Sequence, residues 1–310
     1  MSVAFREIRA LCHRLGLESV AITRVPNGRH DLFRVQSACG RYALKVLDSP
    51  ASQRERRARE LQESGLPLPA LADAGDLPDG RGFLLMEWRA GAPMTEVLGA
   101  NSMAQRQTAF ASAADHLRRL HAVERPQAWT KAPPALLAFG RPGFLDLLSP
   151  SLTHLAAHFG AALAGDVRSA LAGLRLTEAT ETRITTSHGD YQPKNLLIDA
   201  TGQVTCILDW EFCGLAPHWS DLAHLLRASP DEATDERIGR GYGVAEPGWT
   251  PACRSYDLAR ICLGLGRPDL EGDDLDDWAL MVEGLVRAIR DFDVRPAREA
   301  AAALRAREAA

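Results

Sequence analysis

The sequence lacks the features that mark several large classes of protein. Its six cysteines form no Cys-x-x-Cys pair and do not cluster, which argues against a zinc site or a disulfide framework. No apolar run approaches the length of a membrane span, and charged residues interrupt the amino-terminal segment, which is typical of an amphipathic helix. The net charge of −4 gives no basic surface for nucleic acid. We therefore expect a cytoplasmic protein that binds neither nucleic acid nor membrane, and its oligomeric state stays open.

The pattern along the chain predicts two parts. A length of 310 residues exceeds what one compact core usually needs. The first part is rich in predicted strands, at 32–36, 41–48 and 82–88, with one helix over 52–63. After residue 91 apolar residues recur at helical spacing, and we predict helices over 103–123, 151–172, 218–229, 252–264 and 275–291. We place the boundary near residue 90, which gives domains 1–90 and 91–310.

A short β segment interrupts the helical part and carries a group of polar residues. Residues 187–211 read SHGDYQPKNLLIDATGQVTCILDWE, in which two apolar strands flank a turn and form a predicted hairpin. With a loop at 200–202, Asn195 lies opposite a residue near 207, so Asn195 and Asp209 emerge at the same open end. Asp190 lies on the loop that leads into that end.

These three residues form a set with a recognisable chemistry. Two carboxylates and an amide oxygen are ligands suited to Mg²⁺, which shares itself with substrate phosphates. Phosphoryl transfer needs a metal clamp and a carboxylate that orients the attacking hydroxyl. Asp and Asn are also common turn residues, so each alone carries little information. The joint pattern of a strand, His-Gly-Asp, an Asn five residues later and a strand that ends in Asp is much more specific.

The motif HGD-x₄-N, followed by Ile-Leu-Asp-Trp, resembles the aminoglycoside phosphotransferase and choline kinase-like family, whose members are relatives of protein kinases. The resemblance implies an α+β, two-lobed fold, with a small β-rich amino-terminal lobe and a larger, mostly helical carboxy-terminal lobe. It makes Asp190 the catalytic base, and Asn195 and Asp209 the magnesium ligands. His188 would be a buried residue that braces the loop. Glu211 could assist a second metal, although a surface glutamate is the simpler interpretation.

The amino-terminal part offers a lysine that fits the same fold. Lys45 lies on an otherwise apolar strand face, where it needs an anionic partner or must reach solvent. The resemblance places Lys45 on the ATP phosphates and pairs it with a glutamate of the next helix. Glu55 and Glu60 compete for that role, and the helical wheel favours Glu55. Ser52-x-x-Glu55 also fits a helix capping box, so a structural role for Glu55 is the alternative.

The segment FLLMEWRAG (83–91) resembles the strand and hinge that join the two lobes in this family. The resemblance implies that Met86 lines the purine pocket and that backbone groups of Glu87 and Arg89 hydrogen bond the base. Upstream, residues 25–31 contain one glycine where protein kinases have three, so the phosphate contacts of this loop stay open.

The resemblance implies an enzyme that transfers the γ-phosphoryl group of ATP to a hydroxyl of a small molecule with Mg²⁺ as cofactor, and GTP in place of ATP stays open. An amino sugar of the aminoglycoside type is our first choice of acceptor, followed by choline, homoserine or another sugar. Acidic clusters at 231–236 and 269–277 would suit a cationic acceptor, but solvated helix starts are the stronger interpretation. A nucleotide-binding pseudokinase scaffold and a metal-dependent hydrolase are the alternatives from other classes.

Overall fold

The computed structural model of the protein describes residues 5–18, 20–26, 31–47, 60–62, 64–100, 102–124, 132–173, 182–244, 249–265, 280–284 and 286. Several predictions lie outside the described residues in whole or in large part. These are Glu55, most of the helix at 52–63, most of the loop at 25–31 and much of the helix at 275–291.

The amino-terminal part is an antiparallel sheet covered by one helix. Its strands, in the spatial order β1-β2-β3-β5-β4, are β1 (Ala21–Val25), β2 (Asp31–Ser37), β3 (Gly40–Val46), β4 (Leu71–Asp76) and β5 (Gly82–Glu87). Helix α1 (Phe5–Arg14) packs Ile8, Leu11 and Cys12 into a core with Leu44 and Val46 of β3. Because side chains alternate along a strand, Lys45 points to the face opposite this core.

Helices make up most of the remaining described chain. They are α2 (Met94–Ala100), α3 (Met103–His121), α4 (Pro134–Leu137), α5 (Phe144–Phe159), α6 (Ala161–Ala172), α7 (Trp219–Arg227), α8 (Glu232–Tyr242) and α9 (Trp249–Leu265). Helix α3 begins at a capping box between Ser102 and Gln105 and buries Phe110 and Leu117 in the larger core. That core also includes Leu66, so the domain boundary near residue 90 stays a prediction. Within the described ranges, no helix combines the length and the apolar character needed to cross a membrane.

The prediction of a single helix over 151–172 is wrong in both the number of helices and the starting residue. The structure has two helices here, α5 and α6, separated at Gly160. Gly160 has a φ of +93°, which lies outside the range of an α-helix and favours glycine. The first of the two helices also begins seven residues earlier than predicted, at Phe144.

Two small sheets carry the polar motif. Strands β6 (Ala92–Pro93), β8 (Leu196–Ile198) and β9 (Val204–Ile207) form one, and β7 (Ile184–Ser187) pairs with β10 (Gly214–Pro217) in the other. The predicted hairpin of β8 and β9 is present, closed by a hydrogen bond from Asp199 N–H to the Gln203 carbonyl. A bulge between Leu197 and Ile198 shifts the register, so that Asn195 lies opposite residue 208. Strand β7 leads directly into His188.

A buried histidine next to β10 makes stability depend on pH. Burial, followed by the charges of His121 and Arg183, lowers the pKa of His218 to about 3. An unfolded histidine titrates near 6.5, so between these values the unfolded state binds a proton that the folded state excludes. Unfolding free energy should therefore fall by about 1.4 kcal/mol per pH unit as pH decreases below about 6.5.

Urea unfolding at a series of pH values checks this prediction with His218→Asn, which should show a shallower decrease between pH 6.5 and 5 than the native protein. His158→Asn, at an exposed position, is the matched control and should keep the native slope. An unchanged slope in His218→Asn would assign the pH dependence to other groups.

Candidate active site

Lys45 joins the amino-terminal sheet to the end of the β8–β9 hairpin. Its Nζ lies 2.7 Å from Asp209 Oδ1 and 3.8 Å from Glu211 Oε2. Lys45 is only 5% exposed, so a carboxylate partner is needed to offset the loss of hydration of its charge. The sequence required either an anionic partner or access to solvent for this lysine, with Glu55 as the preferred partner. The structure brings Asp209 to it from a position 164 residues away.

Asp209 sits in a backbone conformation that is unusual for a residue with a side chain. Its φ and ψ are +64° and +63°, in the left-handed region, and it precedes a 3₁₀ turn at Trp210–Phe212. Asp tolerates this region better than most residues, because its short side chain can hydrogen bond locally. The same turn brings Glu211 next to Lys45, so Glu211 is half-buried in the cleft instead of lying on the open surface.

Two side-chain amides hold the carboxylate of Asp190. Gln192 Nε2 donates to Asp190 Oδ1, and Asn195 Nδ2 donates to Asp190 Oδ2 over 2.9 Å. The same Asn195 amide nitrogen donates to the backbone carbonyl of Asp190, also over 2.9 Å. Lys194 Nζ lies 3.8 Å from Asp190 Oδ2, on an exposed side chain. The carboxylate of the catalytic-base candidate is therefore fixed in orientation.

The residues present fit a magnesium ion. Because the Asn195 amide nitrogen is engaged with Asp190, its oxygen Oδ1 is the atom left to serve as a ligand. Amide and carboxylate oxygens are the donors that Mg²⁺ prefers, with water and phosphate oxygens completing the shell. In the part of the chain that the structure describes, no group of three or more His, Cys, Asp or Glu side chains could hold a metal.

His188 braces the loop that carries Asp190, as expected. The imidazole is buried, and its Nε2 lies 2.8 Å from the Leu208 carbonyl, to which it must donate. Its Nδ1 is then the unprotonated nitrogen, and it accepts a hydrogen bond from Asp190 N–H at 3.2 Å. One neutral histidine thus ties the Asp190 loop to the strand that ends at Asp209.

Asp221 on α7 is a candidate functional residue to which the motif analysis assigned no role. Its carboxylate is fully buried and accepts hydrogen bonds from His188 N–H at 2.8 Å and Gly189 N–H at 2.9 Å. His121 Nε2 lies 3.2 Å from the same carboxylate, and the other ring nitrogen of His121 bonds the Tyr242 hydroxyl at 2.7 Å. Burial raises the pKa of Asp221, but the His121 hydrogen bond and the nearby histidines outweigh it, and the pKa lies below its ordinary value.

The signal for Asp221 was present in the sequence as a carboxylate inside an otherwise apolar helix. Such a group must find partners when it is buried. The sequence alone does not indicate that the partners are the two amides immediately before Asp190, because they lie more than 30 residues away.

The hinge residues lie beside the same cleft. In the pairing of β3 with β5, Met86 lies opposite Ala43, and Leu84 lies opposite Lys45. Met86 is therefore on the same face of the sheet as Lys45. The Glu87 N–H already donates to the Ala70 carbonyl at 2.8 Å, so Glu87 could offer a base only its carbonyl. For Arg89, no backbone hydrogen bond of its N–H occurs within the described ranges, which leaves that donor for a ligand.

Gly189 is the position in this loop that least tolerates a side chain. Its φ is +85°, and an added Cβ would lie 2.4 Å from the Phe212 carbonyl oxygen. Gly189→Ala must therefore displace either the Asp190 loop or the turn that follows Asp209. A shift of about 1 Å in such a site can cost about a hundredfold in rate, and we expect a loss of that size in kcat/KM.

Gly80→Ala is the matched control for this variant. Gly80 also has a φ of +85°, but nothing lies within 4 Å of its added Cβ. It should lose some stability through backbone strain and keep its activity. Equal activity losses in both variants would show that strain alone, and not the contact with Phe212, accounts for the effect.

Comparisons with known proteins identify the family. A model of the phosphotransferase enzyme family matches residues 21–254. No curated protein sequence matches the chain. Among solved structures, a provisionally assigned aminoglycoside phosphotransferase from Ralstonia eutropha is 17% identical, with a TM-score of 0.64 over 96% of this chain and 98% of the other.

Two further structures agree in fold. Macrolide 2'-phosphotransferase MphH from Brachybacterium faecium is 17% identical, with a TM-score of 0.59 over 96% of this chain and 97% of the other. Aminoglycoside phosphotransferase APH(3'')-Id from Streptomyces rimosus, solved with ADP and streptomycin, is 20% identical. Its TM-score is 0.54 over 82% of this chain and 98% of the other. The expectations of a mixed α+β, kinase-like fold and of a phosphotransferase enzyme are confirmed. The family model matches well over half of this chain, and the chain therefore belongs to the phosphotransferase enzyme family.

Proposed function

We propose that the protein is a small-molecule kinase that transfers the γ-phosphoryl group of ATP to a hydroxyl group of its acceptor. The observation that carries this proposal is the ion pair of Lys45 with Asp209, next to an Asp190 held by Asn195. In this proposal a buried cation, a pair of metal-ligand candidates and a candidate base act together on the phosphates and the acceptor. Phosphoryl transfer depends on this kind of positioning and charge stabilisation.

Each residue has a separate task in this proposal. Asp190 accepts the proton of the acceptor hydroxyl as that oxygen attacks the γ-phosphorus. Lys45 donates hydrogen bonds to the phosphates of ATP, and Glu55, outside the described residues, remains its proposed helix partner. Met86 packs against the purine, while the Glu87 carbonyl and the Arg89 N–H bond its edge. GTP in place of ATP remains an alternative.

Asn195 and Asp209 would hold the magnesium ion. When bound, Mg²⁺ neutralises charge on the phosphate oxygens. The register of β8 and β9 supports this assignment, because Asn195 and Asp209 both lie at the open end of the hairpin. The cytoplasm is the proposed location, where the six free cysteines would stay reduced.

The experiment that tests this function is an assay of ADP release with a broad panel of hydroxyl compounds, with and without Mg²⁺. We expect ADP formation that requires both the metal and one class of acceptor. ADP formation without any acceptor would favour a hydrolase. Tight ATP binding with no turnover of any compound would favour the pseudokinase scaffold.

A further inference from the structure

A cavity of about 230 Å³ lies beside the loop that carries the candidate base. Ser187 and Gly189 form part of its wall, and Gly189 immediately precedes Asp190 in the chain. Consecutive Cα atoms are about 3.8 Å apart, so the cavity adjoins the loop that carries Asp190. A cavity next to the candidate base is a natural candidate for the acceptor site.

The charge of the cavity wall is positive. Among the described residues that line it, Arg260 of α9 is the one charged side chain. Arg260 Nη2 and Nε lie 3.2 Å and 3.3 Å from Asp257 Oδ1. Asp257 also forms a two-pronged ion pair with Arg227, whose Nε lies 2.9 Å from Oδ2. Two guanidinium groups thus share one carboxylate, which leaves one positive charge in excess.

A second donor stands next to this arginine. Tyr256 also lines the cavity and is fully buried, and its hydroxyl faces the Ser220 side chain, which lines the cavity as well. Because this contact does not have normal hydrogen-bond geometry, a ligand oxygen would complete the bonding of the buried hydroxyl. Tyr256 and Arg260 are four residues apart on α9, so they lie on the same face of the helix.

Three acidic residues of the cluster at 231–236 are engaged elsewhere. Asp231 caps α8 by accepting a hydrogen bond from Thr234 N–H at 2.8 Å. Asp235 pairs with Arg254 at 3.3 Å, and Glu236 pairs with Arg240 at the surface. None of these carboxylates lines the cavity, and the cluster at 269–277 lies outside the described residues.

We propose that this cavity is the acceptor site and that Arg260 selects a small hydroxyl compound carrying an anionic group, most simply a carboxylate. The inference rests on the proposed kinase function and replaces the polycationic amino sugar that was our first choice from sequence. The volume supports a small acceptor, since pockets for drug-sized ligands measure about 300–1,000 Å³. Pro133, Leu136 and Leu215 give the opposite wall an apolar character that suits a short carbon chain.

The test compares acceptors of different charge on the intact enzyme. ADP release with Mg²⁺ and ATP is measured for hydroxy acids (glycerate, 4-hydroxybutyrate and gluconate), neutral sugars and cationic amino sugars including kanamycin. Arg260→Gln removes the charge, and Arg240→Gln, at an exposed ion pair on α8, is the matched control. Thermal unfolding of each variant shows whether it is folded.

We expect the highest kcat/KM with an anionic compound, a loss of about thirtyfold or more in Arg260→Gln, chiefly through KM, and no change in Arg240→Gln. Arg260→Lys should recover part of the loss. A cationic or neutral best acceptor, or an anionic acceptor unaffected by Arg260→Gln, would overturn the charge assignment while ADP formation still supports the kinase.

If no compound of any class releases ADP, the kinase proposal itself fails, and calorimetric titration of the three hydroxy acids then decides the remaining question. Binding that is lost in Arg260→Gln supports the anionic site. Equal or absent binding in both proteins rejects it.

Discussion

Asp190→Asn should lower kcat by about a hundred- to ten-thousandfold, the range expected when a positioned general base is removed. The amide has nearly the same shape as the carboxylate, so the loop held by Gln192 and Asn195 should keep its place. It cannot take the proton of the acceptor hydroxyl. Because Asp190 makes no contact with Lys45 in the part of the chain described, ATP affinity should change little. Steady-state ADP release and equilibrium nucleotide binding measure the two quantities separately.

Asp146→Asn is the matched control, since Asp146 is an exposed residue near the start of α5. It should behave as the native protein in both measurements. Full activity of Asp190→Asn on an acceptor that the native enzyme phosphorylates would show that another group takes the proton.

Asp221→Ala should destabilise the protein by about 3 kcal/mol or more and also reduce kcat. The substitution leaves the amides of His188 and Gly189 and the ring of His121 without their acceptor in a buried site. Each buried polar group left without a partner costs about 1–3 kcal/mol. The loop before Asp190 would lose its attachment to α7, so the effect on kcat should exceed the effect on KM. Urea unfolding and steady-state kinetics give the two results.

Asp231→Ala is a suitable comparison for Asp221→Ala. Asp231 only caps α8, and removing such a cap costs about 1 kcal/mol. Its kcat should be unchanged. If Asp221→Ala lost stability but kept native kcat at a temperature where it is folded, Asp221 would be a structural residue without a role in positioning Asp190.

Much of the site was predictable because its signals are local. The hairpin of β8 and β9 follows from two apolar strands around a turn, and it fixes Asn195 and Asp209 at one end. The strand that carries Lys45 follows equally from its composition. The one-residue shift at Asn195 was not predictable, since a bulge depends on how the two strands fit their neighbours.

The remaining parts depend on contacts between distant residues. The ion pair of Lys45 with Asp209 and the attachment of Gly189 to Asp221 join segments that no periodicity links. Strand β4 was also missed. Its sequence, LADAGD, contains no β-branched or aromatic residue, so it adopts the strand conformation through pairing with β5 and not through its own propensity.

The charge of the acceptor is also difficult to predict from sequence, because it depends on which side chains pack around the binding site. The acidic clusters of the sequence suggested a cationic acceptor, but Asp231 and Asp235 serve helix α8 and Arg254. The cavity beside the base instead presents Arg260, whose isolated position in the sequence gave no indication of a site. Composition records how many charges a segment has, whereas packing decides which of them face a ligand.

Product analysis tests the central claim most directly. Phosphorus NMR of a reaction containing the native enzyme, ATP, Mg²⁺ and the best acceptor distinguishes phosphate esters from inorganic phosphate. We predict one phosphate monoester of the acceptor for each ADP formed, and almost none with Asp190→Asn over the same time. Inorganic phosphate in place of the ester, or equal ester formation by Asp190→Asn, would contradict a kinase that uses Asp190 as its base.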